Sequence, residues 1–119
     1  MGGVVPYLIR AYCDWIEDSN LTPHILVDCE KTGIVVPEGF EKDGKIVLNI
    51  SPSATENRLI TNDSISFKAR FSGRPQKVVV PCAAVLTINA QENGGGMSFG
   101  NKFETKDDKT AGPALTILD

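Results

Sequence analysis

The chain has 119 residues, with 12 Lys and Arg against 15 Asp and Glu, and a net charge of −3. That is one domain's worth of chain, long enough for a modest core. Its acidic balance argues against a general nucleic-acid binder, which needs many cations to displace counterions from phosphate. No apolar run approaches the roughly 20 residues of a membrane span.

The start, Met1-Gly2-Gly3-Val4-Val5-Pro6, has no basic stretch and no evident cleavage site, so no signal peptide is expected. Pro6 suits the first position of a helix, where its missing N–H is no loss. Leu8, Ala11, Tyr12, Trp15 and Ile16 then recur at the spacing of one helical face, with Ile9 and Cys13 beside that stripe. Ser19-Asn20 and Pro23 stop the helix, predicted over about 6–19. Residues 24–29 read as a strand closed by the turn Lys31-Thr32-Gly33. Ile34-Val35-Val36 reads as a second short strand ended by Pro37. Asp43-Gly44 is a hairpin signal ahead of a strand over 45–50, whose Ile46, Leu48 and Ile50 share one face. Ser51-Pro52-Ser53-Ala54 breaks it.

The cleanest alternation in the chain is Ser64-Ile65-Ser66-Phe67-Lys68-Ala69-Arg70-Phe71, which makes one buried face and one wet face. Ser72-Gly73-Arg74-Pro75 turns the chain into a strand over 77–80, ended by Pro81, and residues 85–90 form the last strand. Several short strands behind one helix predict a mainly β fold, a small twisted β-sandwich or partly open barrel. Gly94-Gly95-Gly96 reads as a flexible joint. Residues 100–112 are too polar to offset their ordering entropy and read as a flexible linker. The closing Pro113-Ala114-Leu115-Thr116-Ile117-Leu118 turns apolar again, as a docking peptide on a tether does.

The chemistry of catalysis finds little to work with. Cys13, Cys29 and Cys82 are an odd, widely spaced set that reads as reduced, packed thiols in a cytoplasmic protein. His24 is the one histidine, and no Gly-x-Ser-x-Gly elbow accompanies it. No Cys or His pair stands at metal-ligand spacing, and Gly94-Gly95-Gly96 lacks the Gly-Lys-Ser/Thr ending of a phosphate loop. No catalytic residue, metal or cofactor is expected, which favours a binding module by elimination.

Longer stretches carry a resemblance. Pro6-Tyr7-Leu8-Ile9-Arg10-Ala11-Tyr12-Cys13-Asp14-Trp15 and Leu21-Thr22-Pro23-His24-Ile25-Leu26-Val27-Asp28 open it, and Lys42-Asp43-Gly44-Lys45-Ile46-Val47-Leu48-Asn49-Ile50 continues it. Ser53-Ala54-Thr55, Asn62-Asp63, Phe67-Lys68-Ala69-Arg70-Phe71, Pro81-Cys82-Ala83-Ala84-Val85-Leu86 and Glu92-Asn93-Gly94 extend it, so that it spans about residues 6–99. This pattern resembles the stringent starvation protein B family of bacterial adaptors, which deliver tagged substrates to the ClpXP protease. The resemblance implies a Sm-like, SH3-like β domain over 6–99 and a homodimer paired through the N-terminal helix. It implies a groove for the C-terminal ssrA tag that transfer-messenger RNA adds to proteins from stalled ribosomes. It also implies a tail, 113–119, that docks on the ClpX unfoldase.

Carried onto this chain, the resemblance points to Ala54, Phe67, Lys68, Ala69 and Arg70 as tag-binding residues. Ala69 leaves room for a peptide backbone, and Arg70, on the polar phase of its strand, is placed to pair with an acidic tag residue. Leu8, Tyr12, Trp15 and Ile16 have two uses open to them, packing on the chain's own sheet or forming the dimer seam, and the resemblance favours the seam. Pro113, Ala114, Leu115, Ile117 and Leu118 match the docking motif, although its basic residues are missing here and the chain closes on Asp119. The roughly 13 residues of the linker would span about 20 Å as a flexible coil. The competing expectation from another class is a Sm-like RNA-binding module, which the acidic balance disfavours.

Overall fold

The computed structural model describes residues 3–99. Helix α1 (Val5–Asp18) precedes seven strands: β1 (Pro23–Asp28), β2 (Lys45–Asn49), β3 (Glu56–Ile60), β4 (Ser64–Phe71), β5 (Arg74–Pro81), β6 (Val85–Ala90) and β7 (Gly96–Ser98). They form two antiparallel sheets, one in the order β2-β1-β6-β7 and the other β3-β4-β5. The sheets do not close into a barrel, and the architecture is the mainly β, twisted two-sheet sandwich that the periodicity predicts.

One core joins the two sheets and the helix. Ile25 and Val27 of β1 pair with Leu48 and Ile46 of β2, and the same two residues face Ile88 and Val85 of β6. From the second sheet come Ile65 and Phe67 of β4 with their partners Val80 and Val78 of β5. Alternation by two thus gives each sheet one inward face, and burial of these apolar side chains is the main source of stability.

The helix sits differently from its strongest apolar stripe. The residues it buries are Pro6, Ile9, Cys13 and Ile16. Leu8 and Tyr12 lie half-buried at the margin, Ala11 is exposed and Trp15 is 56% exposed. The flank that looks secondary in the sequence is therefore the one turned to the core. Arg10 ties the other end of this packing to the β3–β4 turn: it donates to Asn62 Oδ1 at 2.8 Å and to the Ile60 carbonyl at 3.5 Å, and lies over the Tyr7 ring.

Three further features depart from expectation. Ile34–Val36 is not a strand: Val35 makes one antiparallel bridge to Val79 at the edge of β5, with N–O distances of 2.8 and 2.9 Å. Pro37 brings no N–H with which to extend that ladder. Glu56–Ile60 is a strand where none is expected. Gly96 is no flexible joint but the first residue of β7, opposite Asn89, where a Cβ would overlap the Ile88 carbonyl oxygen. Beyond it Phe99 is buried, its N–H donating to Leu86 O at 2.6 Å. The turns at Asp43-Gly44 and Ser72-Gly73 have positive φ at both residues, as two-residue hairpin turns require.

Candidate functional site

A groove of about 590 Å³ opens between the 3₁₀ turn Pro52–Ala54 with the start of β3 on one side and the far end of β4 on the other. Its lining includes Ala54, Thr55, Glu56, Lys68, Ala69 and Arg70. Four of the five residues singled out for tag binding, Ala54, Lys68, Ala69 and Arg70, therefore meet at one place although up to 16 positions separate them. Phe67 is the exception. It is 3% exposed, faces Val78 in the core and does not line the groove, because it stands on the inward phase of β4 below the point where the core ends.

The groove exists because β3 stops short. Its first residue, Glu56, pairs with Lys68, and from there the chain runs back into the 3₁₀ turn while β4 continues to Phe71. The β5 side of β4 remains paired to the end, through Ala69↔Gln76, Arg70↔Pro75 and Phe71↔Arg74. Phe71 and Arg74 close a two-residue turn, so main-chain bonds to β5 fall at Phe71, Ala69 and Phe67, and those of Arg70, Lys68 and Ser66 point to the β3 side. Lys68 and Ser66 meet Glu56 and Leu59 there; among the described residues Arg70 meets no strand. Pro75, opposite Arg70, turns its missing N–H to the outer edge of β5, where it discourages pairing. One strand edge is guarded and the other is left open beside a groove.

The opposite wall is built by local hydrogen bonds. Asn49 Oδ1 accepts from the Ser51 N–H at 2.9 Å, and the Ser51 carbonyl accepts from Thr55 Oγ1 at 2.9 Å and from the Ala54 N–H at 3.1 Å. Arg58 anchors this wall from behind. Its Nη1 donates to the Ile50 carbonyl and to Glu17 Oε2, each at 2.6 Å, and lies 3.4 Å from Cys13 Sγ. The Cys13 thiol in turn donates to Glu17 Oε2 at 3.1 Å. Burial works against the Glu17 carboxylate, but hydrogen bonds from Arg58 and Cys13 outweigh it and hold its pKa below the ordinary carboxylate value. Burial first, and then the bond to Glu17, push the Cys13 thiol up to about 12. That thiol stays protonated at neutral pH and acts as a donor, not a nucleophile.

The groove's polar wall was hidden from sequence reasoning. Asn57 has φ +57° and sits in a register shift between Glu56 and Leu59. This bulge reverses the usual sense of the strand, turning Arg58 inward and leaving Leu59 58% exposed. The residues Glu56-Asn57-Arg58-Leu59-Ile60 show no alternation for that reason. The sequence signal for the bulge is Asn57 itself, a residue type that tolerates positive φ.

Of the residues considered for a dimer seam, Leu8, Tyr12 and Trp15 share one side of α1, and the Tyr12 and Trp15 rings meet edge to face at 5.7 Å. Ile16 belongs to the chain's own core at 1% exposure. Pro113, Ala114, Leu115, Ile117 and Leu118, with the linker over 100–112, lie outside the described residues. Among the described residues no group of three or more His, Cys, Asp and Glu is placed to hold a metal ion, and no helix is long and apolar enough to cross a membrane.

These elements define a class: a small two-sheet β domain, capped by one helix, with an open groove at an unpaired strand edge. The family model described as stringent starvation protein B matches residues 3–116, and the chain belongs to that family. It is similar to a protein named stringent starvation protein B homolog from Haemophilus influenzae (strain ATCC 51907 / DSM 11121 / KW20 / Rd), with 50% identity over 94 residues. The match covers 79% of this chain and 63% of that relative, so the chain spans somewhat less than two thirds of the relative's length.

Proposed function

We propose that the chain is a cytoplasmic, non-catalytic adaptor that holds an extended peptide in the groove between Ala54 and Arg70, and that this peptide is the C-terminal ssrA tag of proteins from stalled ribosomes. The observation that carries the reading is the open edge of β4 at Arg70 beside the groove. An extended segment laid there gains main-chain hydrogen bonds from the free edge, and its side chains fall alternately toward Ala69 and toward the polar wall. Ala69 supports this use because a small side chain lets a backbone approach. Arg70 donates to the Gly73 carbonyl at 3.2 Å, which leaves four of its five N–H groups for a ligand.

Delivery follows from tethering. The apolar tail at 113–119 docks on ClpX and the linker over 100–112 keeps the bound substrate within reach of the unfoldase. Two chains paired through the Leu8, Tyr12 and Trp15 side of α1 present two tails, and bivalent docking multiplies weak affinities. The apolar surface on that side, with Trp15 more than half exposed beside Tyr12, supports such pairing.

The test is fluorescence anisotropy of a labelled tag peptide. Saturable binding at one peptide per chain, weakened about tenfold by Arg70→Gln without a drop in melting temperature, is the expected result. Equal affinity for both proteins removes Arg70 from the site. Removing residues 113–119 is expected to leave peptide binding intact and abolish ClpX-dependent degradation of a tagged reporter; degradation that persists shows that the tail is not the docking element.

A further inference from the structure

Beside the groove, the outer face of the second sheet carries a charge arrangement that folding alone does not favour. Lys68 of β4 stands directly opposite Lys77 of β5. The parity of the ladder makes this a non-hydrogen-bonded pair, the kind in which the two side chains stand closest. Val79 confirms the parity, because its main-chain groups are engaged with Val35 on the outer edge, away from β4. Like charges directly opposite each other destabilise a sheet. Arg70, two residues along β4 from Lys68, stands on the same face.

These three cations gather on a chain whose acids outnumber its bases by 15 to 12. The one ion pair among the described residues is Arg58 with Glu17, on the far side of the groove wall. Glu56, opposite Lys68 on β3, is the single acid that the strand pairings place across from these cations, and it lies beyond 4.0 Å from their nitrogens. The local balance is therefore positive, exposed and adjacent to the groove's open edge.

We propose that Lys68 and Lys77, flanked by Arg70, form a carboxylate subsite that takes an acidic side chain of the bound peptide, and that Lys77 sets the preference for an acidic over a neutral residue at that position. The inference rests on the peptide reading of the groove and names a determinant outside the groove's own lining. A carboxylate between the two ammonium groups relieves their repulsion, so the unfavourable opposition in the free protein becomes part of the discrimination.

The experiment compares the unchanged protein, Lys77→Gln and Lys77→Glu in binding labelled tag peptide and a series in which each acidic residue is replaced singly by its amide. Lys77→Gln is expected to weaken binding about threefold and Lys77→Glu roughly tenfold, both losses shrinking at high salt. For one amide peptide of the series, the unchanged protein and Lys77→Gln should bind alike, which identifies the carboxylate held there. The melting temperature of Lys77→Gln should be equal or higher, since a like-charge pair is removed. Unchanged protein that binds the tag peptide with the same affinity as both variants overturns the subsite while leaving the groove intact. Variants that weaken a mixed single-stranded RNA and not the peptide overturn it in favour of phosphate recognition. Unchanged protein that binds no peptide of the series overturns the adaptor reading and the subsite together.

Discussion

The two halves of β4 obey the same alternation and do different work. From Ser64 to Lys68 the strand has β3 on one side and β5 on the other, with Ile65 and Phe67 sealed in the core. From Ala69 to Phe71 it keeps, among the described residues, only β5, and its inward phase leaves the core for the rim, where Phe71 meets the half-exposed Phe40 edge to face at 5.2 Å. The first half is closed in hydrogen bonding and in packing; the second is open in both. An unsatisfied strand edge is a hazard in a solitary protein and a resource in one that binds extended chains. On the proposed peptide reading of the groove, the first half serves stability and the second serves recognition.

Substitutions can break that assignment. The largest effect is expected from Phe67→Ala, which empties a buried site and should cost about 3–5 kcal/mol in urea unfolding. If Phe67→Ala leaves stability nearly unchanged while eliminating peptide binding, Phe67 belongs to recognition and the division between the halves is misplaced. Two residues along, Ala69→Gln should show the inverse pattern: unfolding free energy within about 1 kcal/mol of the unchanged protein and peptide affinity reduced tenfold or more by anisotropy. A large stability loss with ordinary affinity would make Ala69 a core residue.

A smaller and pH-dependent effect is expected from Arg58→Met, which removes the anchor behind the groove wall. The pair it breaks is partly exposed, so solvent screening limits the loss to about 1 kcal/mol at neutral pH. The sign of its pH dependence follows from Glu17, whose folded pKa lies below its ordinary 4.5. A depressed carboxylate contributes stability above its unfolded pKa and loses that contribution as pH falls through the folded value. The stability gap between Arg58→Met and the unchanged protein should therefore be full above about pH 5 and narrow below 4.5, measured by urea unfolding across that range. A gap that widens on acidification contradicts the role given to the Arg58–Glu17 pair.

The same contrast explains what could be seen in the sequence. Strands β4 and β6 are legible to the residue: Ile65, Phe67 and Ala69 stand among polar neighbours in β4, and Val85 to Ala90 form a short apolar run between Pro81 and Glu92-Asn93-Gly94. The groove wall was not, because the bulge at Asn57 sends an arginine inward and a leucine outward, and no period-two pattern survives that exchange. The helix was legible as a helix, yet its burial was not. The stripe through Leu8, Tyr12 and Trp15 is the more apolar by eye, and the flank through Ile9 and Cys13 is the one that meets β1 and β6. Gly94-Gly95-Gly96 reads as a flexible joint because absence of a side chain signals freedom in isolation, whereas here it permits Gly96, at the start of β7, to lie against the Ile88 carbonyl. Ala54, Lys68, Ala69 and Arg70 came from family resemblance, not from their spacing, and the structure supplies the physical ground for grouping them.

The most direct measurement is the amide spectrum of isotope-labelled protein during titration with unlabelled tag peptide. The account predicts the largest shifts at Ala69, Arg70 and Phe71 and at Ala54 and Thr55 across the groove, with little change in the buried half of β4. Shifts centred elsewhere, for example in the apolar hollow lined by Pro6, Val85, Leu86 and Phe99, would place the peptide away from the open edge and contradict the account.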